Sequence, residues 1–434
     1  MPGGYSRRDV LGLIAAGSAA ALAPRASAAD FDWKRFSGAN LRFMVSVHPW
    51  TEWAQKQLPA LEAATGIKAQ WEILYEDQFR QKLPLTLRAD PGAVDGFFTL
   101  PSWDAAAFSR AKWYAPLDKY IQSDLTAPDW NYADFFPNIL KIHSIGGEQI
   151  GIPITIELQT LFYNKAMLQA KGVQPPRTLD EMMAAAKALK DPQADIAGYV
   201  TRGDGVQAVY TIAPYLFAFG GRWLDENGNP ELATAPFVNA LKYYGEILRA
   251  AGPPNIVGMQ WKTTYPLFQQ ERAAMFTDAT NFLTFFKDPS QSRIVDQVGV
   301  APLPAGPAGS RSTVISWGPA IAASSRQKEA TWYAIQFLTS KKMAEAATEA
   351  TKLPPSRQSV YGSEIYTRSV PADMIQAVRE GIPNAVPNGA NPLVVPVPAV
   401  RAAIGKAIVT ALQGGDAEKA ANEAQKQVVE ILKG

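Results

Sequence analysis

The chain has 434 residues, 47% hydrophobic and 19% charged, which excludes a disordered chain and gives room for two or three domains. Formal net charge is only +2 and there is no cysteine. Those two facts exclude disulfides, thiolate metal sites and thiol catalysis, and argue against nucleic acid as a partner.

Residues 1–28 read as an export signal. Arg7 and Arg8 precede an apolar run over 10–23, and Ala26-Ser27-Ala28 supplies an A-x-A cleavage site near Ala28. The paired arginines resemble a twin-arginine signal. Removal of 1–28 takes away Arg7, Arg8, Arg25 and Asp9, lowering Lys+Arg from 42 to 39 and Asp+Glu from 40 to 39, so the mature charge is zero. No later apolar run is long enough to span a bilayer. A soluble, periplasmic monomer is expected.

Residues 41–47 (LRFMVSV) alternate as a strand, 51–64 have helical spacing stopped by Gly66, and 68–74 alternate again. Strand, helix, strand with short links predicts a parallel βαβ unit. A helix over 78–88 and a strand over 93–98 complete an α/β lobe, and a helix follows over 105–111.

The segment 147–165 (GEQIGIPITIELQTLFYNK) is apolar at Ile150, Ile152, Ile154 and Ile156. Pro153 cannot donate to a ladder, so the segment reads as an edge or a crossing rather than a central strand. Glu157 then sits among apolar neighbours, where a carboxylate needs a partner or a ligand. Thr178 and Glu181 form a capping box for a helix reaching about residue 189. A strand is expected over 198–201, and helices over 206–219, 236–251, 263–270, 328–339, 341–350, 399–412 and 416–432. The run 272–277 (RAAMFT), ending at Asp278, reads as a second interlobe crossing. Residues 225–229 (DENGN) superficially suggest a calcium loop, but the glycine is misplaced and a hairpin turn explains them.

Several pieces in this order resemble extracellular solute-binding proteins of sugar ABC importers. They are WYAPLD at 113–118, GIP through YNK at 151–165, PRTLDE at 176–181, FQQERAAM at 268–275, and Pro354-Pro355 downstream of FLTS at 337–340. Stretches 220–229 and 268–280 look most like the subgroup taking up polyols, monosaccharides or their glycosides. The resemblance implies an α/β, two-lobe type II periplasmic-binding-protein fold with three interlobe crossings, near 152–157, 274–278 and 340. The implied lobes are 29–152 plus 278–338 and 153–277 plus 339–434. It also implies a small sugar or polyol ligand and ABC permease subunits as partners, without a cofactor. Maltodextrin binders of the family carry a late aromatic that 392–400 lacks, which speaks against long oligosaccharides.

Such ligands need carboxylates, arginines and indole N–H groups for their hydroxyls and aromatic faces for their C–H surfaces. Glu157 and Asp278 come first, at the ends of apolar crossing strands. Trp317, between Ser316 and Gly318, offers a stacking face. Trp50, and Trp103 with Asp104, follow strands at the carboxyl ends where α/β sheets bind ligands. Arg202 follows the 199–201 strand and Arg357 follows Pro354-Pro355. Trp223 and Asp77 complete the candidates. Two other readings stay open: an exported carbohydrate-active enzyme using Glu157 and Asp278 as paired carboxylates, and the same fold gripping a sugar acid or another small solute.

Overall fold

The computed structural model describes residues 31–433, so the export signal lies outside the described residues. Strand β1 (Asn40–Ser46) pairs in parallel with β2 (Lys68–Leu74) and with β3 (Gly96–Thr99). Two helices, Pro49–Gln55 and Leu58–Thr65, replace the single one expected between β1 and β2. Pro59 explains the break, because its ring has no N–H to continue the first helix. Gly66, at φ 71°, ends the second in the left-handed region that favours glycine.

The chain then passes to a second sheet. Its central strand, β4 (Glu157–Asn164), is buried along nearly its whole length. β5 (Met275–Ala279) and β6 (Val298–Ala301) pair antiparallel with it, as does β7 (Ser312–Ile315) at its first residues. β8 (Gly318–Ile321) returns to the first sheet, antiparallel to β3, and β9 (Ala385–Pro387) joins β7. The first sheet thus has the order β8-β3-β1-β2 and the second β9-β7-β4-β5, with β6 on β4. The two sheets with their helices form the two lobes of a type II periplasmic-binding-protein fold.

Three segments cross between the sheets side by side. The first, 152–156, contains Pro153 as expected. Ile154 N donates to Trp317 O (3.1 Å) and Ile156 N to Pro354 O (2.9 Å). Ser316 Oγ donates to Thr155 O and Ser356 Oγ to Pro153 O, each at 2.7 Å. The second crossing is therefore 316–317 and the third runs through 353–357.

Two expected positions are corrected. Residues 274–278 do not cross: they are apolar because β5 is a buried strand, with Met275 and Phe276 fully buried beside β4. Ser340 caps the helix Lys341–Thr351, which packs on the first lobe's helix Pro49–Gln55. Residues 278–315 accordingly belong with the second sheet, and 341–351 lie beside the first lobe. Residues 198–201 form isolated bridges beside β5 rather than a strand. The second lobe's outer layer includes Gly205–Ala218, Ala235–Ala251, Val397–Leu412 and Ala417–Lys433, each near its expected place.

Candidate functional site

A cleft of about 680 Å³ lies between the lobes. Glu157, Trp317, Trp103, Arg202 and Asp77 line it; Asp278, Asp104, Trp50, Arg357 and Trp223 do not.

Glu157 opens β4 at the end of the first crossing and is 1% exposed. Its Oε1 lies 2.9 Å from His48 Nε2 and accepts from Thr155 Oγ1 at 3.3 Å. His48 follows β1 in the other lobe. Its Nδ1 accepts from Trp50 N (3.1 Å), which leaves the proton on Nε2, aimed at Glu157. The acid expected to be awkward is thus held by an imidazole across the lobe boundary.

Arg202 donates to Asp278 through Nε (2.7 Å) and Nη2 (2.8 Å), so two separately selected residues are partners. Asp278 is fully buried, and Arg202 is the member of the pair that meets the cleft. Burial raises the Asp278 carboxyl and Arg202 opposes that rise; burial likewise depresses Arg202, and Asp278 more than offsets it. The fork-on-carboxylate geometry is that of a charge-assisted ion pair.

Arg80, on the first lobe's helix Glu76–Ala89, donates to Glu76 Oε1 through Nε (2.9 Å) and Nη2 (2.6 Å), and through Nη1 to Asp104 at 3.3 Å. Asp104 also accepts from Leu100 N at 2.8 Å, fixing the start of the helix Pro101–Arg110. Its expected ligand contact is replaced by this role behind Arg80. Trp103 carries two guanidiniums, Arg80 at 4.2 Å and Arg401 at 4.6 Å from its ring centre, which compete with a sugar for its ring. Trp317 stacks on Phe98 at 5.0 Å. Asp77 stands exposed at the rim, 3.8 Å from Lys262 of the other lobe.

The remaining expectations are corrected. Trp50 lies nearly parallel to Phe98, 6.0 Å away, inside the first lobe. Trp223 is buried against Phe237 and donates to Gly389 O at 2.8 Å. Arg357 is 1% exposed and donates to Thr339 O (2.9 Å) and Asp134 (3.2 Å) over the Phe135 ring. All three are packed into the core away from the cleft. Sequence reasoning missed His48, Glu76, Arg80, Tyr210, Trp261 and Arg401. Only His48 carried a signal, being next to Pro49 at the carboxyl end of β1.

A wider groove, about 1030 Å³, lies on the second lobe between the helices Leu179–Leu189 and Ala372–Gly381. It touches no crossing and none of the selected residues, so the interlobe cleft is the better candidate. Among the described residues no group of three His, Asp or Glu is placed to hold a metal ion, and no helix is long and apolar enough to cross a membrane. Glu157 and Asp278 each face their own imidazole or guanidinium partner and are not paired with each other.

Comparison with known proteins agrees with this geometry. The mannitol-binding protein of Pseudomonas aeruginosa is 29% identical over 352 residues, 78% of this chain and 77% of its own. A probable amino-acid ABC transporter periplasmic-binding protein of Sinorhizobium fredii is 26% identical, over 71% of this chain and 70% of its own. The crystal structure of an ABC transporter solute-binding protein from Agrobacterium radiobacter K84, in complex with ribitol, superposes with a TM-score of 0.83 at 25% identity, covering 91% of this chain and 99% of that one. The profile of the bacterial extracellular solute-binding proteins matches residues 48–345, which span β4, β5, two of the crossings and most of the cleft wall, and the chain belongs to that family.

Proposed function

We propose that this chain captures a polyol or small sugar in its interlobe cleft and delivers it to the permease subunits of an ABC importer. The observation that carries the reading is a set of polar groups left without partners at the cleft. Ser102 Oγ, Tyr210 OH and Asn281 Oδ1 belong to lining residues, are shielded from solvent and make no hydrogen bond within the protein. Unmet groups of this kind cost about 1–3 kcal/mol each, and ligand hydroxyls reach them once these side chains turn toward the cleft. Glu157 and Arg202 add charge-assisted partners for further hydroxyls, and Trp261 and Trp317 add apolar wall. The ligands named for the Pseudomonas and Agrobacterium proteins, mannitol and ribitol, have this chemistry.

Export through a twin-arginine signal cut near Ala28, a periplasmic location, action as a monomer and closure of the lobes by bending at the three crossings belong to the same proposal. A thermal-shift panel of polyols, monosaccharides and disaccharides tests it, because a ligand that binds only the folded state raises its melting temperature. No shift with any member contradicts it.

A further inference from the structure

Three guanidiniums meet the cleft, and two of them are neutralised. Arg80 has Glu76 and Asp104; Arg202 has Asp278. Arg401, on the helix Val397–Leu412, has no carboxylate within ion-pair reach among the described residues. Its partners are neutral oxygens: Val206 O from Nε (3.1 Å) and Nη2 (2.6 Å), Gln207 O from Nη2 (3.5 Å), and Asn391 Oδ1 from Nη1 (2.8 Å). A guanidinium has five N–H donors, so one on Nη1 is left over. The residue is only 4% exposed, yet it lines the cleft.

Burial, followed by the like charges of Arg202 and Arg80, pushes the Arg401 guanidinium down to about 9; Glu76 and Asp204 act against this only from beyond ion-pair reach. A buried cation without a counterion is an unfavourable arrangement that an incoming anion relieves.

We infer that the ligand is a polyhydroxy acid, a polyol chain ending in a carboxylate, and that Arg401 receives the carboxylate. This rests on the polyhydroxylated-ligand reading of the same cleft. The competing role for Arg401 is purely structural. It stacks on Trp103 of the first lobe, and its partner Asn391 donates to Ser102 O at 2.7 Å, which ties the lobes together.

Matched pairs separate the two roles. Ribitol against ribonate, and mannitol against mannonate, are titrated by calorimetry into the mature protein and into Arg401→Met, at equal ionic strength. One desolvated charge-assisted contact predicts that the wild type prefers the acid of a pair by roughly tenfold or more. It also predicts that Arg401→Met reduces this preference to about threefold or less. The inference is overturned if the wild type binds the polyol as tightly as the acid, if the variant weakens both members by the same factor, or if amino acids bind in preference to hydroxy acids. A variant that does not fold leaves the wild-type preference to decide. Binding of the polyol alone sinks the inference and keeps the polyol reading; binding of no polyol, sugar or hydroxy acid sinks both.

Discussion

Arg202 and Asp278 form one unit: two parallel hydrogen bonds of 2.7 and 2.8 Å join a guanidinium at the cleft wall to a carboxylate fully buried behind it in β5. Asp278→Asn keeps the shape and removes the charge, leaving Arg202 uncompensated. Breaking a buried pair from one side costs about 3–5 kcal/mol. Chemical denaturation is expected to show a loss of that size, together with weaker ligand binding. A variant as stable as the wild type shows that the pair does not hold the cleft wall.

The tryptophans separate core from cleft. Trp50→Ala removes a ring packed on Phe98 and Trp71, and large-to-small core changes of this kind cost about 3–5 kcal/mol. Trp261→Ala, at the cleft wall, is expected to cost about 1 kcal/mol of binding with a much smaller loss of stability. Unfolding and calorimetry on both variants check this, and the reverse pattern would exchange their roles.

His143 makes an acid-sensitive point beside the crossings. It is fully buried and close to Gly151 and Gly318, so that a Cβ on either glycine would collide with its ring. Burial pushes its pKa from 6.5 down to about 3, with the Ser316 backbone acting weakly in the other direction. Between those values the unfolded chain takes up a proton that the folded chain refuses. Stability is therefore fully present above pH 6.5 and falls as pH drops, by about 1.4 kcal/mol per unit. In His143→Gln this contribution is gone. The stability gap between wild type and variant should narrow by about 2 kcal/mol from pH 7 to pH 5; a gap independent of pH contradicts the assignment.

Much of the fold is legible in the chain because periodicity reports burial. The βαβ unit, the crossing at Pro153 and the four helices of the second lobe's outer layer all follow from it. The second crossing does not, because Ser316-Trp317 is too short to have a period. The apolar run before Asp278 reads equally well as a crossing or as a buried strand, and pairing with β4 decides for the strand. Glu157, Trp317 and Arg202 were reachable because each stands where an apolar run ends. Arg80, Trp261 and Arg401 sit on helices whose pattern tells which face is apolar, not which neighbour that face meets. Trp50, Trp223 and Arg357 show the opposite limit: a large polar-tipped side chain after a strand or proline pair can equally be packed into the core.

The central claim is that the cleft at Glu157 holds a polyhydroxylated ligand. Calorimetric titration of the mature protein and of Glu157→Gln with polyols, sugars and their acids tests it most directly. Binding of at least one at micromolar affinity, about −8 kcal/mol, is predicted. Loss of the carboxylate should weaken that ligand by about 1–3 kcal/mol. Equal affinity in the two proteins, or no binding by the wild type, contradicts the account.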